Sequence, residues 1–172
     1  MTCSVFIASS IDGFIATKDD GLQWLEAYEI PGGSDHGYSE FMRRIDAIVM
    51  GRRTYEVVLG FGSWPYEVPV YVLASAHSDD RRVQFVKGAA RAAVQAAEAN
   101  GHERLYVDGG KTVQGFLEED LIDEMIITTI PIVLGSGIPL FASAAPSRQF
   151  SVDSVRQLGP FIQSHFTRRR EL

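Results

Sequence analysis

The stretch YVDGGKTVQGFL, residues 106–117, joins a short apolar run to a segment with helical spacing through two adjacent glycines. The run before the glycines is β-prone, and the apolar residues after them recur on one helical face. Glycine has no Cβ, so it allows turns and close backbone approaches that other residues forbid. Gly109-Gly110 is therefore either a tight turn alone or a place where bare backbone approaches a phosphate.

Outside this stretch, apolar runs alternate with amphipathic segments as far as residue 118, and strands dominate after it. Strands are predicted at 3–9, 46–51, 70–75, 83–86, 104–108 and 124–134, helices at 38–45, 52–59, 89–101 and after 110, a loop at 135–141, and a terminal antiparallel hairpin around 159–160. This order predicts an α/β fold with a largely parallel sheet and helices on its faces.

A second strand-to-helix junction lies in VMGRRTYE, residues 49–56. The residues that surround the two helix starts are Gly51, Arg52, Arg53 and Thr54 at one junction and Gly109, Gly110, Lys111 and Thr112 at the other. Free N–H groups and the helix dipole favour anions at such starts. Both junctions follow strand ends, where open α/β sheets bind ligands, so the pattern favours a phosphate-bearing ligand. Ordinary turn chemistry with solvated basic residues remains the alternative.

Composition narrows the classes of function. The chain has 172 residues, 45% of them hydrophobic, a net charge of −6 and one cysteine. We therefore expect a single domain over 1–172, no nucleic-acid binding, no disulfide and a cytoplasmic location. No apolar run reaches the length of a membrane span, and the histidines lack partners at metal-ligand spacing, so we expect neither a membrane segment nor a metal.

Two carboxylates are candidates for acid–base chemistry. Asp12 lies in a turn after the first strand, and Asp35 lies at the start of the helix predicted over 38–45. Each also has a plain structural role open to it, because aspartate forms turns and caps helices.

Five segments together resemble a known family. They are ASSIDGFIA (8–16), DAIVMGRRTYE (46–56), YVLASAHSDDRRVQFVK (71–87), LYVDGGKTVQGFL (105–117) and MIITTIPIVLGSGIPLF (125–141). In this order they resemble the dihydrofolate reductase superfamily, and most closely the C-terminal reductase domain of bacterial riboflavin biosynthesis proteins. The resemblance covers nearly the whole chain. It implies a dihydrofolate reductase-like three-layer α/β/α fold with a mostly parallel central sheet and an antiparallel C-terminal hairpin.

The resemblance also implies NADPH as cofactor and gives roles to individual positions. Cofactor-binding roles fall on Ala8 and Ile15 at the nicotinamide, on Gly51, Arg52, Arg53 and Thr54 at the phosphates, on Ser75 and His77 at the 2′-phosphate, and on Gly109, Gly110, Lys111 and Thr112 at the pyrophosphate. In the family a cis peptide joins the two glycines. Substrate-binding roles fall on Trp24, Tyr38, Phe41 and Thr128. The catalytic carboxylate would be Asp35 by comparison with dihydrofolate reductases and Asp12 by comparison with the riboflavin branch.

The sequence departs from the family at two places. TYEVVLGFGSWPYEVP (54–69) does not match the stretch that serves a phosphoribosyl substrate, and GLQWLEAYEIPGGSDHG (21–37) is only loosely similar to the dihydrofolate reductases. The resemblance implies an NADPH-dependent reductase of a pteridine- or pyrimidine-type small molecule that forms a homodimer. The alternatives are a nucleotide- or pterin-binding module that keeps the fold without catalysis, and a structural protein with no small ligand. Asp108 would lie near the cofactor without an assigned role.

Overall fold

The computed structural model describes residues 1–28, 33–75, 79–141 and 147–169. The strands are β1 (Thr2–Ser10), β2 (Phe14–Ala16), β3 (Ala47–Gly51), β4 (Val70–Leu73), β5 (Val83–Val86), β6 (Arg104–Asp108), β7 (Glu124–Ile130), β8 (Ile138–Pro139), β9 (Phe150–Leu158) and β10 (Phe161–Arg168). The helices are α1 (Gln23–Glu26), α2 (Tyr38–Met42), α3 (Arg52–Leu59), α4 (Ala90–Ala99) and α5 (Gly110–Glu118).

The central sheet has the strand order β5-β4-β3-β6-β1-β7-β10-β9. Neighbouring strands in the part of the sheet ordered β5-β4-β3-β6-β1-β7 are all parallel. Strand β10 pairs antiparallel with both β7 and β9. The predicted fold is confirmed, with a mostly parallel sheet that ends in an antiparallel C-terminal hairpin. Because parallel strands are covered on both faces, β3 is apolar along most of its length and almost entirely buried.

Two apolar cores lie on opposite faces of the sheet. On one face, Ala93 and Ala97 of α4 and Phe116 of α5 pack against the strands. On the other face, Tyr55 and Val58 of α3 belong to a core that also contains the side chain of Phe41. The small side chains of α4 let this helix approach the sheet closely. The alanine-rich sequence of residues 89–101 predicts this close packing. The result is three layers, with helices on each side of the strands.

The C-terminal connection differs from the predicted loop at 135–141. Residues 138–139 form β8, which pairs antiparallel with β2 outside the central sheet. The pairing gives backbone hydrogen-bond partners to two short segments that have none in the main sheet. It also brings the 137–139 segment towards the carboxyl edge of the sheet, next to Gly110.

Within the described ranges, no helix is long and apolar enough to cross a bilayer.

Candidate functional site

The carboxyl ends of β1, β3 and β6 border a cleft of about 870 Å³. A cleft of this size fits a ligand of drug or nucleotide dimensions. Among the described residues, every predicted cofactor-binding residue except Ser75 lines it, namely Ala8, Ile15, Gly51, Arg52, Arg53, Thr54, Gly109, Gly110, Lys111 and Thr112. Folding therefore brings the two strand-to-helix junctions together at one cleft, as their positions after parallel strands predict.

The two junctions pack against each other through their glycines and threonines. A Cβ built on Gly51 would lie 3.1 Å from Oγ1 of Thr112, and a Cβ on Gly109 would collide with Oγ1 of Thr54. Each glycine thus lies against the threonine of the other junction. This close fit fixes the two helix starts relative to one another.

The predicted cis peptide between Gly109 and Gly110 is wrong, because no cis bond occurs in the part of the chain that the structure describes. The chain turns instead at Gly109, with φ +89° and ψ 138°. Glycine adopts this backbone conformation freely, whereas other residues are strained in it. The positive φ of Gly109 makes the turn without a cis bond. A Cβ on Gly110 would lie 2.9 Å from the carbonyl oxygen of Pro139 and 3.0 Å from Cδ1 of Ile15.

Both helix starts keep their backbone donors free of side-chain caps. The residue before α3 is Gly51 and the residue before α5 is Gly109, and neither helix has a side-chain hydrogen bond at its N-cap. The first N–H groups of each helix are therefore available to an anion, with the positive end of the dipole behind them.

Four cationic side chains line the cleft, namely Lys18, Arg52, Arg53 and Lys111. Arg52 Nε lies 2.9 Å from Oε1 of Glu56. Arg53 Nε lies 2.5 Å from Oδ2 of Asp20, and its Nη2 donates to the carbonyl oxygen of Lys18 at 3.2 Å. Exposed pairs of this kind contribute little to stability, so both guanidiniums remain available to a phosphate.

Two carboxylates line the described part of the cleft, Asp20, which pairs with Arg53, and Asp108. Asp108 ends β6 and is partly buried beside the hydroxyl of Tyr106, which donates to the carbonyl oxygen of Phe6 at 3.0 Å. Burial raises the pKa of Asp108 to about 6, and this effect outweighs the opposing effects of the Gly109 N–H and of the nearby Tyr106 hydroxyl. A carboxyl with this pKa exchanges a proton near neutral pH.

Aromatic side chains surround this carboxylate. Tyr66, Tyr106 and Phe6 line the cleft, and the ring of Tyr38 contacts Phe6 with centroids 5.6 Å apart. Burial, with a smaller contribution from the charge of Asp108, raises the pKa of Tyr38 to about 12, and the same causes raise the pKa of Tyr66. These hydroxyls therefore stay protonated and are hydrogen-bond donors at neutral pH.

The family model of the RibD C-terminal domain matches residues 2–164. The chain belongs to the RibD C-terminal domain family. The predicted membership of the reductase branch of the riboflavin biosynthesis proteins is thereby confirmed, together with a reductase-like fold.

Individual relatives agree with this family. The uncharacterized protein YwjB of Bacillus subtilis strain 168 is 36% identical over 169 residues, covering 95% of this chain and 96% of that protein. The structure of a "putative riboflavin biosynthesis protein" from Shewanella sp. PV-4 is 42% identical, with a TM-score of 0.92 and coverage of 99% and 100%.

A more distant structure shares the fold alone. It is a diaminohydroxyphosphoribosylaminopyrimidine deaminase/5-amino-6-(5-phosphoribosylamino)uracil reductase from Thermotoga maritima, 14% identical with a TM-score of 0.71. The match covers 98% of this chain and 56% of that one.

The two predicted catalytic carboxylates of this RibD-family chain lie outside the cleft lining. Asp12 is exposed and accepts hydrogen bonds from Ser10 Oγ at 2.6 Å, Leu134 N at 3.0 Å and Gly135 N at 2.7 Å. The Ser10 hydroxyl and these backbone donors lower its pKa, so Asp12 stays ionised and holds the loop after β7.

Asp35 is exposed at the start of α2. Its carboxylate accepts from Gly37 N at 2.9 Å and from Ser39 N at 2.8 Å. Hydrogen bonds from Ser39 and then Gly37 lower its pKa to about 2. Asp35 therefore satisfies free donors of the helix start, the structural role that its position also suggested.

The predicted substrate-binding residues lie behind the cleft lining. Trp24 and Phe41 are buried in apolar clusters, and the Thr128 hydroxyl accepts a hydrogen bond from Gln163 Nε2 at 3.0 Å. The rings of Tyr38 and Phe41 both contact the cleft residue Phe6, with centroids 5.6 and 5.1 Å away. Ser75 is exposed beyond β4, and His77 lies outside the described residues. Substrate and 2′-phosphate roles for these residues stay predictions.

Several cleft residues were not singled out from the sequence, namely Lys18, Asp20, Leu22, Leu25, Phe61 and Tyr66. Lys18, Asp20 and Leu22 come from the segment between β2 and α1, and Leu25 comes from the short helix α1. Phe61 and Tyr66 come from the segment after α3. Both segments depart from the family pattern and lack periodicity. The departure from the family pattern was the sequence feature that could have indicated cleft residues here, because long loops at a site often contact ligands.

Within the described residues, no group of three or more His, Cys, Asp or Glu side chains is placed to hold a metal ion.

Proposed function

We propose that this chain is an NADPH-dependent reductase of a pteridine- or pyrimidine-type small molecule. The observation that supports this most directly is the cleft in which two uncapped helix starts and four cationic side chains meet. Family membership favours an oxidoreductase over a structural protein. The single domain over 1–172, the cytoplasmic location and the homodimer belong to this proposal.

The residues present suit a dinucleotide phosphate group. The start of α5 has no side-chain cap, so its backbone N–H groups would be available to a pyrophosphate. Arg52 and Arg53 at the first turn of α3 would add guanidinium contacts, for which bidentate geometry suits phosphate oxygens. Thr54 and Thr112 would fix the positions of the two junctions relative to each other through their contacts with Gly109 and Gly51.

The apolar residues of the cleft would orient the reacting ring. Ala8 at the end of β1 and Ile15 on β2 would contact the nicotinamide, and Leu22 and Leu25 close the adjacent wall. NADPH, when bound, supplies a hydride to an electron-poor C=N or C=O carbon. The chain's contribution is to bind, orient and exclude water.

Reduction of such a bond also takes up one proton on the heteroatom. Asp108 is the carboxyl in the cleft that we propose for holding this proton, because its pKa is raised to about 6 by burial. Asp12 and Asp35 remain the alternatives from the sequence, but their carboxylates accept backbone hydrogen bonds outside the cleft. If Asp108 is the acid, the reaction rate falls as pH rises above about 6.

Cofactor binding is tested first by thermal shift. NADPH should raise the melting temperature in a concentration-dependent way, because a ligand that binds only the folded state stabilises it. No stabilisation at millimolar NADPH would contradict the proposal. Arg52→Ala should weaken NADPH more than NADH, or weaken both, and unchanged affinity for both would remove that residue from the site.

Catalysis is tested by following NADPH oxidation at 340 nm against a panel of pterins and pyrimidines. Turnover of at least one compound is expected. Stabilisation by NADPH without turnover of any compound would support the binding module that lacks catalysis.

A further inference from the structure

One wall of the cleft is built from two short strands that lie outside the central sheet. Strands β2 and β8 pair with each other. Residues 14–16 and 137–139 form this wall, which we call the cleft wall. Its members that line the cleft are Ile15, Ala16, Gly137, Ile138 and Pro139. Because a two-stranded pair is marginally stable by itself, the position of the cleft wall depends on what holds its ends.

The inner side of the cleft wall lies against the start of α5. The Pro139 carbonyl oxygen accepts a hydrogen bond from Gln114 Nε2 at 2.9 Å, and it lies 2.9 Å from the place of a Cβ on Gly110. Cδ1 of Ile15 lies 3.0 Å from the same place. The cleft wall therefore contacts the helix start proposed for the pyrophosphate, and Ile15 belongs to the position proposed for the nicotinamide.

The Asp12 carboxylate joins the two chain segments that lead into the cleft wall. Asp12 lies in the turn before β2. Its Oδ1 accepts from the Leu134 N–H at 3.0 Å and its Oδ2 accepts from the Gly135 N–H at 2.7 Å, both in the connection before β8. Each carboxylate oxygen thus satisfies one backbone donor at the point where the chain enters the wall.

The end of β1 orients this carboxylate. The buried Ser10 hydroxyl donates to Oδ1 of Asp12 at 2.6 Å and accepts from the Phe14 N–H at 2.9 Å. The Ser10 hydroxyl, together with the backbone donors, lowers the pKa of Asp12. The carboxylate therefore stays ionised at neutral pH, and an ionised carboxylate has two acceptor oxygens, as the two amides require.

We infer that Asp12 is a positioning residue for the nicotinamide half of the cofactor and acts through the cleft wall without touching the cofactor. The inference rests on the proposed function and deepens it. Asp12 is not among the described residues that line the cleft, and its hydrogen bonds end on the segment that leads to Gly137.

The physical basis is preorganisation. A wall that is already held in its binding arrangement loses less conformational entropy when a ligand packs against it. Without the Asp12 contacts, the cleft wall has to be ordered at the moment of binding. The cost falls on the nicotinamide half, because the donors proposed for the phosphates belong to the starts of α3 and α5 and not to the wall.

The test is Asp12→Asn in the full chain. An amide keeps one acceptor oxygen and replaces the other by an NH2 group, so one of the two backbone N–H groups loses its partner. Calorimetry measures the affinity for NADPH and for 2′,5′-ADP, which represents the adenosine half of the cofactor and lacks the nicotinamide. We expect NADPH to bind about tenfold more weakly and 2′,5′-ADP to stay within about twofold of the parent.

Asp46→Asn is the matched control. Oδ2 and Oδ1 of Asp46 accept from the backbone N–H groups of Glu103 and Arg104 at 2.9 and 3.0 Å, so the substitution removes the same kind of contact. Asp46 directly precedes β3, at the end of the sheet opposite the cleft. This variant should melt below the parent and keep both affinities within about twofold, measured below both melting temperatures.

Ser10→Ala is a second variant of the same contact. It removes the hydroxyl that orients Asp12 and keeps the carboxylate, so we expect NADPH to bind about threefold more weakly, with 2′,5′-ADP within about twofold of the parent. If Asp12→Asn does not fold, Ser10→Ala decides the question, and an unchanged NADPH affinity in this variant overturns the inference.

Hydrogen–deuterium exchange measures the order of the cleft wall directly. In the free Asp12→Asn chain, the amides of residues 134–140 should exchange at least about fivefold faster than in the parent, because local opening becomes easier. The amides of α4 should keep their rates. This pattern distinguishes local loosening of the wall from a general loss of stability, which would speed exchange in both places.

Three results overturn the inference while leaving the proposed function in place. They are an NADPH affinity of Asp12→Asn within twofold of the parent, an equal loss of affinity for NADPH and 2′,5′-ADP, and unchanged exchange at residues 134–140. In each case NADPH still stabilises the parent chain. Failure of NADPH to stabilise the parent chain overturns the proposed function and this inference with it.

Discussion

The junction between β3 and α3 and the junction between β6 and α5 share a geometry and differ in chemistry. Each is a parallel strand end followed by an uncapped helix start, and each puts a glycine against the threonine of the other. The first presents exposed guanidiniums from Arg52 and Arg53. The second presents bare backbone and a partly buried carboxylate, Asp108.

The two junctions lie at one sheet edge and line the same cleft. Backbone donors at both helix starts favour anions, so the shared geometry would suit a phosphate group. The guanidiniums of the first junction would strengthen such an anion site, whereas an ionised Asp108 at the second junction would oppose it. The variants that follow change a residue of one of the two junctions or, as a contrast, of a helix start away from the cleft.

The largest effect is expected for Gly109→Ala. The new Cβ would collide with Thr54 and the residue would remain at φ +89°, so we expect a loss of about 3 kcal/mol in the free energy of unfolding. This corresponds to a fall of roughly 6–12 °C in melting temperature, with NADPH affinity reduced at least tenfold. Gly115→Ala, on the same helix with no atom within 4 Å of the new Cβ, is the control and should not destabilise. Equal melting temperatures for the two variants would contradict the interlocked junctions.

A smaller, pH-dependent effect is expected for Asp108→Asn. Because the pKa of Asp108 is about 6 when folded and 3.8 when unfolded, the ionised carboxylate opposes folding. The parent chain keeps its full stability from this group below pH 3.8 and loses it as pH rises through 6. The change in the pKa corresponds to about 3 kcal/mol, which solvent screening of the partly buried carboxylate reduces. Asparagine does not titrate, so the variant should gain up to about 2 kcal/mol over the parent between pH 4 and 7. Urea unfolding at several pH values measures this, and a difference that is constant with pH would contradict it.

Arg53→Ala changes the basic junction. We expect NADPH affinity to fall about tenfold, or about 1.4 kcal/mol, because a charge-assisted contact is lost and Asp20 is left without its partner beside the phosphates. The loss should shrink at high salt, because exposed charges are screened. Arg43→Ala, an exposed arginine at the end of α2, is the control. Fluorescence titration of NADPH gives both values, and equal affinities would remove Arg53 from the site.

The smallest effect is expected for Asp35→Asn, at a helix start that lies away from the cleft. Because hydrogen bonds hold the folded pKa at about 2, stability from Asp35 is present above pH 3.8 and is lost as pH falls towards 2. The variant should melt about 2–4 °C below the parent at pH 7 and match it near pH 2. This pH dependence is opposite to that of Asp108→Asn. A variant that melts with the parent at pH 7 would contradict the capping role.

Sequence patterns located the cleft residues at the two helix starts better than the rest of the cleft lining. The residues at 51–54 and 109–112 follow strand ends, so their meeting at one edge depends only on parallel strand order and local signals. Tyr66 and Leu22 come from irregular segments, whose direction depends on distant contacts. Trp24, Phe41 and Thr128 were placed by resemblance, and the structure puts them behind the lining, where their apolar surfaces are buried.

The sequence by itself determined the α/β fold, the family and the two helix starts, because apolar periodicity, glycine and strand–helix alternation are local properties. Only the tertiary structure decided which carboxylate lies in the cleft. Asp12, Asp35 and Asp108 each lie at a turn or a strand end, and local sequence does not separate them. The packing of β6 between β1 and β3 under α3 buries Asp108 in part, whereas backbone donors near the surface hold Asp12 and Asp35 ionised. The residues that bury Asp108 are far apart in the chain, so its burial follows from the tertiary structure and not from the local sequence.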